Sequence, residues 1–282
     1  MRRLWVVIVA ASLGFGVLGF ALLAGQGGSL LDGPGCRRFL WRAAESGQPP
    51  APVACPNGPS PRRFVALTFG QSNGANYAQG RHAALPQVYF YEGSRCSAGR
   101  DPLPGAGGSG GSVWSRLGDE LVRSGRYDTI VFAGIAVSAT GMAQWRVGGL
   151  LHASLISALQ EMRAQGLEPT HLLWQQGETD AKQQVPAATY RQLFLAMAQS
   201  IREAGFSAPL YIAVSTYCKG RRSDEIRHAQ IALAHDTPEL HLRPGPDTDA
   251  LRGPRWRYDD CHFSSEGASA AAVLWARALG AE

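Results

Sequence analysis

Residues 64–74 read FVALTFGQSNG. Phe64–Phe69 is a short apolar run that does not alternate with polar residues. Such a run suits a strand buried on both faces, as in a parallel sheet covered by helices. It stops at Gly70, and the polar turn Gln71-Ser72-Asn73-Gly74 follows at once.

The segments beyond it repeat that plan. Val88–Tyr91 is a second apolar run, followed by a loop carrying Gly105, Gly107, Gly108, Gly110 and Gly111. Val113–Val122 has helical spacing and starts after Ser112, a favoured N-cap type. Thr129–Ala136, His171–Gln175 and Pro209–Ser215 read as strands. Leu150–Gln165, Ala188–Ala204, Ser223–Ala234 and Glu266–Leu279 read as helices. Short strands alternating with longer helices predict βαβ units and an α/β fold: a three-layer αβα sandwich on a parallel sheet of about five strands. Right-handed crossovers place the strand C-termini along one edge, where ligands bind in open sheets.

Three polar segments fall where that edge is expected. They are Gly70-Gln71-Ser72-Asn73-Gly74, Gln175-Gln176-Gly177-Glu178-Thr179-Asp180, and Asp259-Asp260-Cys261-His262-Phe263. Together they supply a hydroxyl nucleophile, polar donors and an Asp/His pair, the parts that acyl transfer requires. Glu178 and Asp180 are only two positions apart in one loop. They read as loop-fixing acceptors, not as two carboxylates flanking a sugar bond at about 5–9 Å. His228, His235 and His241 are too far apart in sequence for a local metal cluster. No phosphate-cradling motif occurs, and no metal or cofactor is expected. Trp114 and Trp174 read as core residues.

GQSN after the first strand, W-x-Q-G-E-[ST]-D in the middle and a late D-x-x-H resemble the SGNH (GDSL-type) hydrolases. The likeness is to the sialate O-acetylesterase-like branch, which includes carbohydrate acetylesterases, and it spans residues 64–282. It implies a flavodoxin-like sheet and a metal-free serine esterase that removes O-acetyl groups from a carbohydrate through an acyl-enzyme. Carried over by position, Ser72 is the nucleophile, His262 the base and Asp259 its orienting carboxylate, with Asp260 as a competitor for that role. The oxyanion hole falls to the N–H groups of Ser72 and Gly111 and the side chain of Gln176. Thr179 stands where many relatives have the Asn of G-x-N-D. Gln71, Asn73, Glu178, Asp180, Thr140, Gly141 and Trp145 are expected to line the pocket or support its loops. Two other readings stay open. One is a lipase or thioesterase on longer acyl chains, and the other is a catalytically silent carbohydrate-binding protein held at the membrane.

The remaining features concern location. Of 282 residues 45% are hydrophobic and 17% charged, which excludes a disordered chain. The net charge of +5 is misleading: residues 1–63 hold seven Arg and two acids, whereas 64–282 hold 20 basic and 20 acidic residues. No basic face is required on the main domain, so a nucleic-acid partner is not expected. Leu4–Ala24 carries no charge and follows Arg2 and Arg3; as a helix it would span roughly 31 Å. Residues 1–24 are read as a signal anchor or signal peptide, 25–63 as a Gly/Pro/Arg-rich linker, and 64–282 as the esterase domain. The expected location is the periplasmic or extracellular side, tethered by the N-terminal helix. Five cysteines fit an oxidising compartment. Cys36 with Cys55 and Cys218 with Cys261 are candidate pairs, which leaves Cys96 over; the sequence leaves connectivity open.

Overall fold

The computed structural model describes residues 51–58 and 60–280. The expected N-terminal anchor, much of the linker and Cys36 lie outside the described residues.

Seven strands form one sheet in the spatial order β3-β2-β4-β1-β5-β6-β7. They are β1 (Arg63–Gly70), β2 (Val88–Glu92), β3 (Arg95–Ala98), β4 (Thr129–Gly134), β5 (His171–Gln175), β6 (Leu210–Val214) and β7 (Leu242–Asp247). All neighbours are parallel except β2 and β3, which form an antiparallel hairpin. The helices are α1 (Val113–Arg123), α2 (Met142–Trp145), α3 (His152–Ala164), α4 (Glu178–Lys182), α5 (Ala187–Glu203), α6 (Asp224–Asp236) and α7 (Ser265–Ala278).

β1 shows why the layers form. Its side chains alternate across the sheet: Val65, Leu67 and Phe69 join one apolar layer with α3, α5 and α6, while Phe64 and Ala66 join another with α1 and α7. With both faces buried, β1 reads from Phe64 to Phe69 as an apolar run interrupted only by Thr68, whose hydroxyl donates to the Ala133 carbonyl at 3.2 Å. Three of the long helices start on serine caps: Ser112, Ser223 and Ser264 accept the N–H groups of Ser115, Ile226 and Gly267.

The sheet has seven strands where about five were expected. β7 (LRPGPD) contains two prolines, which is tolerable because it is an edge strand. β3 is only four residues long, and Val53 pairs with Cys96 on its outer side. The cysteines also differ from expectation. Cys55 is bonded to Cys96, not paired with Cys36, and ties the segment before β1 to that same edge. Cys218 is bonded to Cys261, as one of the candidate pairings had it.

β1 lies centrally, with β4 on one side and β5 on the other, so strand order reverses around it. The loops after β1, β4, β5 and β6 therefore come together at one end of the sheet, where hydrogen bonds link Val137 to Gly70, Gln71 to Gln175 and Gln175 to Ser215.

Candidate active site

The serine turn is set by the end of β1. Gly70 has φ +134°, and a Cβ there would sit 2.1 Å from the Gln175 carbonyl oxygen, so no other residue fits. Gln71 N–H donates to that carbonyl (3.0 Å), and Ser72–Gly74 forms a 3-10 turn. Ser72 is 4% exposed. As the first groups of that turn, the N–H groups of Ser72 and Asn73 donate to no group among the described residues. The side chains on either side anchor the turn. Gln71 Oε1 accepts from Thr179 N–H at 3.0 Å. Asn73 Nδ2 donates to Glu178 Oε1 at 2.6 Å and to the Cys261 carbonyl at 3.2 Å.

The late loop assembles the Asp/His pair. Asp259 Oδ2 meets His262 Nδ1 at 2.8 Å, and Oδ1 accepts the N–H groups of Cys261 (3.0 Å) and His262 (2.7 Å). Partial burial opposes ionisation of Asp259, yet these bonds outweigh it and hold its carboxyl below the usual range. A carboxylate on Nδ1 selects the tautomer protonated there and leaves Nε2 as the acceptor. The His262 ring stacks on Tyr77 with centroids 5.3 Å apart, and Tyr258 lies at 6.3 Å on a tilted ring. Asp260 is turned elsewhere: it has φ +63° and accepts from Tyr217 O–H at 2.5 Å. Of the two aspartates, Asp259 is the one that meets the imidazole.

This loop is held from several directions. The Cys218–Cys261 bond joins it to the segment after β6. Lys219 N–H donates to the Asp260 carbonyl at 2.8 Å, and Lys219 Nζ donates to the Asp259 carbonyl. Arg257, buried beneath, donates to the carbonyls of Leu251, Thr248 and Cys261.

Two of the expected oxyanion donors are occupied. Gln176 is fully buried, and its Nε2 faces Asp180 Oδ2 (2.5 Å), the Thr140 carbonyl (3.1 Å) and Gln71 Oε1 (3.3 Å). An amide nitrogen carries two hydrogens, so these acceptors consume them. Gly111 N–H donates to the Ala78 carbonyl at 2.8 Å, and Ala78 N–H returns a bond at 2.9 Å. Gly111 is glycine for packing: a Cβ would lie 2.0 Å from the Gly80 carbonyl oxygen. In the same loop, Gly108 has an N–H that donates to no group among the described residues, and it lies against Tyr77. Five glycines within seven residues made that loop visible in the sequence, but nothing in the run distinguishes Gly108.

The remaining expected residues brace the loops. Asp180 accepts Met142 N–H through both oxygens (3.2 and 3.1 Å) beside Gly141. Thr140 Oγ1 accepts from Trp145 Nε1 at 3.0 Å. Trp145 is fully buried against Phe69 and Trp174, so it supports the loop from the core and does not line a pocket. Trp114 and Trp174 are core residues too. Tyr77, Tyr258, Ser215 and Arg257 were not singled out in the sequence. Tyr258 abuts the Asp259 pair, a proximity that gives some signal; the others have none.

A family described as carbohydrate esterase, sialic acid-specific acetylesterase, matches residues 111–279. The match takes in the Gln176 and His262 segments and begins after Ser72. No curated protein matches the chain. Several solved structures share the fold. A protein from Arabidopsis thaliana superposes with a TM-score of 0.64 at 19% identity, over 78% of this chain and 99% of its own. A Parabacteroides merdae protein described as a GDSL-like lipase gives 0.53 at 16% identity, over 80% and 100%. NanS gives 0.50 at 14% identity, over 78% and 97%.

Proposed function

The chain belongs to the carbohydrate esterase family described as sialic acid-specific acetylesterases, and from that membership we propose a serine acetylesterase acting on an O-acetylated saccharide. One observation supports the reading most: the Asp259–His262 pair sits in a loop bonded to the serine turn through Asn73 and the Cys261 carbonyl.

In this reading Ser72 Oγ attacks the acetyl carbonyl while His262 Nε2 accepts its proton. The imidazolium forms opposite Asp259, which is already ionised and needs no proton transfer of its own. Negative charge on the carbonyl oxygen meets backbone donors that are free to receive it. Ser72 N–H and Gly108 N–H are the ones assigned here, with Asn73 N–H beside them. Each such donor contributes about 3–4 kcal/mol to the transition state in comparable enzymes. His262 then protonates the departing sugar oxygen, leaving acetyl-Ser72. Water attacks with His262 as base, and acetate leaves as Ser72 recovers its proton.

The test compares p-nitrophenyl acetate, butyrate and octanoate as substrates for the wild type and Ser72→Ala. Fast acetate turnover that disappears in the variant is the expected result. A preference for octanoate would instead favour a lipase or thioesterase. Equal rates in both proteins, with saccharide binding retained, would leave a silent binding protein.

We also place the domain on an exported, oxidising side, tethered by residues 1–24. Two disulfides support the compartment, since such bonds persist where thiols are not kept reduced. Among the described residues no helix is long and apolar enough to cross a membrane, so the tether rests on the Leu4–Ala24 stretch alone.

A further inference from the structure

Beneath the serine turn lies a carboxyl group that the mechanism above does not use. Glu178 is 3% exposed and starts α4. Its Oε1 accepts Asn73 Nδ2 at 2.6 Å and Ser215 O–H at 2.9 Å. Its other oxygen, Oε2, is buried and has no hydrogen-bond partner among the described residues, and the same holds for Asn73 Oδ1. Two lone acceptors thus remain on two side chains that already share one bond. The Asn73 amide is not turned the wrong way, because Nδ2 also donates to the Cys261 carbonyl. Turning it would set its single oxygen against both acceptors, Glu178 Oε1 and the Cys261 carbonyl. Arg257 acts on Glu178 only through its charge: its hydrogen bonds go to the carbonyls of Leu251, Thr248 and Cys261.

Buried acceptors without donors are costly, and native proteins leave few of them. A single hydrogen on Glu178 Oε2 satisfies both oxygens if it is donated to Asn73 Oδ1. We propose that Glu178 is a positioning residue held as a neutral carboxylic acid, paired with the Asn73 amide through two hydrogen bonds, which fixes the serine turn relative to the His262 loop. Burial independently pushes the Glu178 carboxyl above its usual range, against the bonds from Asn73 and Ser215 and the charge of Arg257. The chain of contacts is continuous. Glu178 holds Asn73, Asn73 holds the Cys261 carbonyl, and Ser72 and His262 are the immediate sequence neighbours of those two residues.

The catalytic part of this proposal rests on the esterase reading, whereas the protonation state does not. Glu178→Gln keeps both one acceptor and one donor, as a neutral acid does. Glu178→Ala removes both.

The first measurement is the infrared spectrum of the whole protein at neutral pH. A protonated-carboxyl C=O band present in the wild type and missing from Glu178→Gln is expected. The second is kinetic. Glu178→Gln should keep kcat within about threefold, while Glu178→Ala loses about tenfold or more with KM little changed, because misplacing a nucleophile costs rate more than binding. Absence of the band from the wild type overturns the proposal, and indicates an ionised Glu178 with water bridging the two oxygens. A Glu178→Gln variant as impaired as Glu178→Ala overturns it as well. If the wild type hydrolyses no ester, the esterase reading fails, and the infrared difference alone decides whether the acid–amide pair exists.

Discussion

Asp259 uses both of its oxygens, one on the His262 ring and one on two backbone N–H groups, so orientation of the ring and of the loop come from the same side chain. That sharing makes a specific substitution informative. In Asp259→Asn the oxygen can still accept the backbone bonds, but the amide N–H₂ then faces Nδ1. Nδ1 must become the acceptor, the proton moves to Nε2, and His262 can no longer take the Ser72 proton. The expected outcome is a fall in kcat of about 10³–10⁴-fold with the fold intact, the size known for a triad forced into the wrong tautomer. Steady-state kinetics with p-nitrophenyl acetate, alongside circular dichroism, would check it. A loss of less than tenfold would remove Asp259 from the mechanism. The D-x-x-H spacing was enough to suggest this pair from the sequence. Gln176 and Gly111 were expected as oxyanion donors, but their N–H groups are already bonded, because a donor's availability depends on acceptors that lie largely outside the local sequence. Thr140 and Ala78 supply distant acceptors, and Asp180, four positions on, takes the other hydrogen of Gln176.

Elements carry the next level of control. The His262 loop has no regular structure of its own and is held by its neighbours, above all by the bond from Cys218 to Cys261 across 43 positions. Closing a loop of that size stabilises by about 4 kcal/mol in the chain-entropy description. Cys218→Ser/Cys261→Ser should therefore lose about 2–4 kcal/mol in urea unfolding. It should also lose activity below the unfolding transition, since the loop is freed one residue from His262. A variant with full activity and lower stability would show that the remaining contacts suffice to place the imidazole. Long elements were legible in advance: α1, α3, α5, α6 and α7 follow apolar spacing, and α1, α6 and α7 also start on serine caps. β3 and β7 were not. β3 is too short to show a period, and the prolines of β7 argue against a strand until its edge position is known. α4 was hidden as well, because Glu178 and Asp180 read as acceptors fixing a loop, and a helix of five residues is too short to show a period.

At the scale of the molecule, the candidate site and the acid-titrating His171 lie at opposite ends of the sheet. Ser72 follows the C-terminal end of β1, whereas His171 opens β5 at the opposite edge, stacked between Phe64 (4.2 Å) and Tyr211 (5.8 Å). Burial, helped by the charge of Arg126, lowers the His171 pKa from 6.5 to about 4. Between those values the unfolded chain binds a proton that the folded one does not, so stability falls as pH drops through that window. From pH 7 to pH 5 this costs on the order of 1–2 kcal/mol. His171→Phe keeps the stack and has nothing to titrate. Its loss of stability over that interval should be smaller than the wild type's by that amount, read from urea unfolding at the two pH values. Equal losses would show that His171 does not control acid sensitivity.

The class of fold and the candidate residues of the proposed triad are legible in the sequence. Periodicity and caps are local properties, and a nucleophile, base and carboxylate betray themselves by residue type and short spacing. Tertiary structure alone decided that Cys55 meets Cys96, that Gln176 and Gly111 have no hydrogen left to donate, and that Glu178 lies buried against Asn73. The physical reason is the same in each case. Which partner a polar or sulfur atom finds is settled by residues brought together across the sheet, often more than 30 positions apart, and no local pattern records that choice.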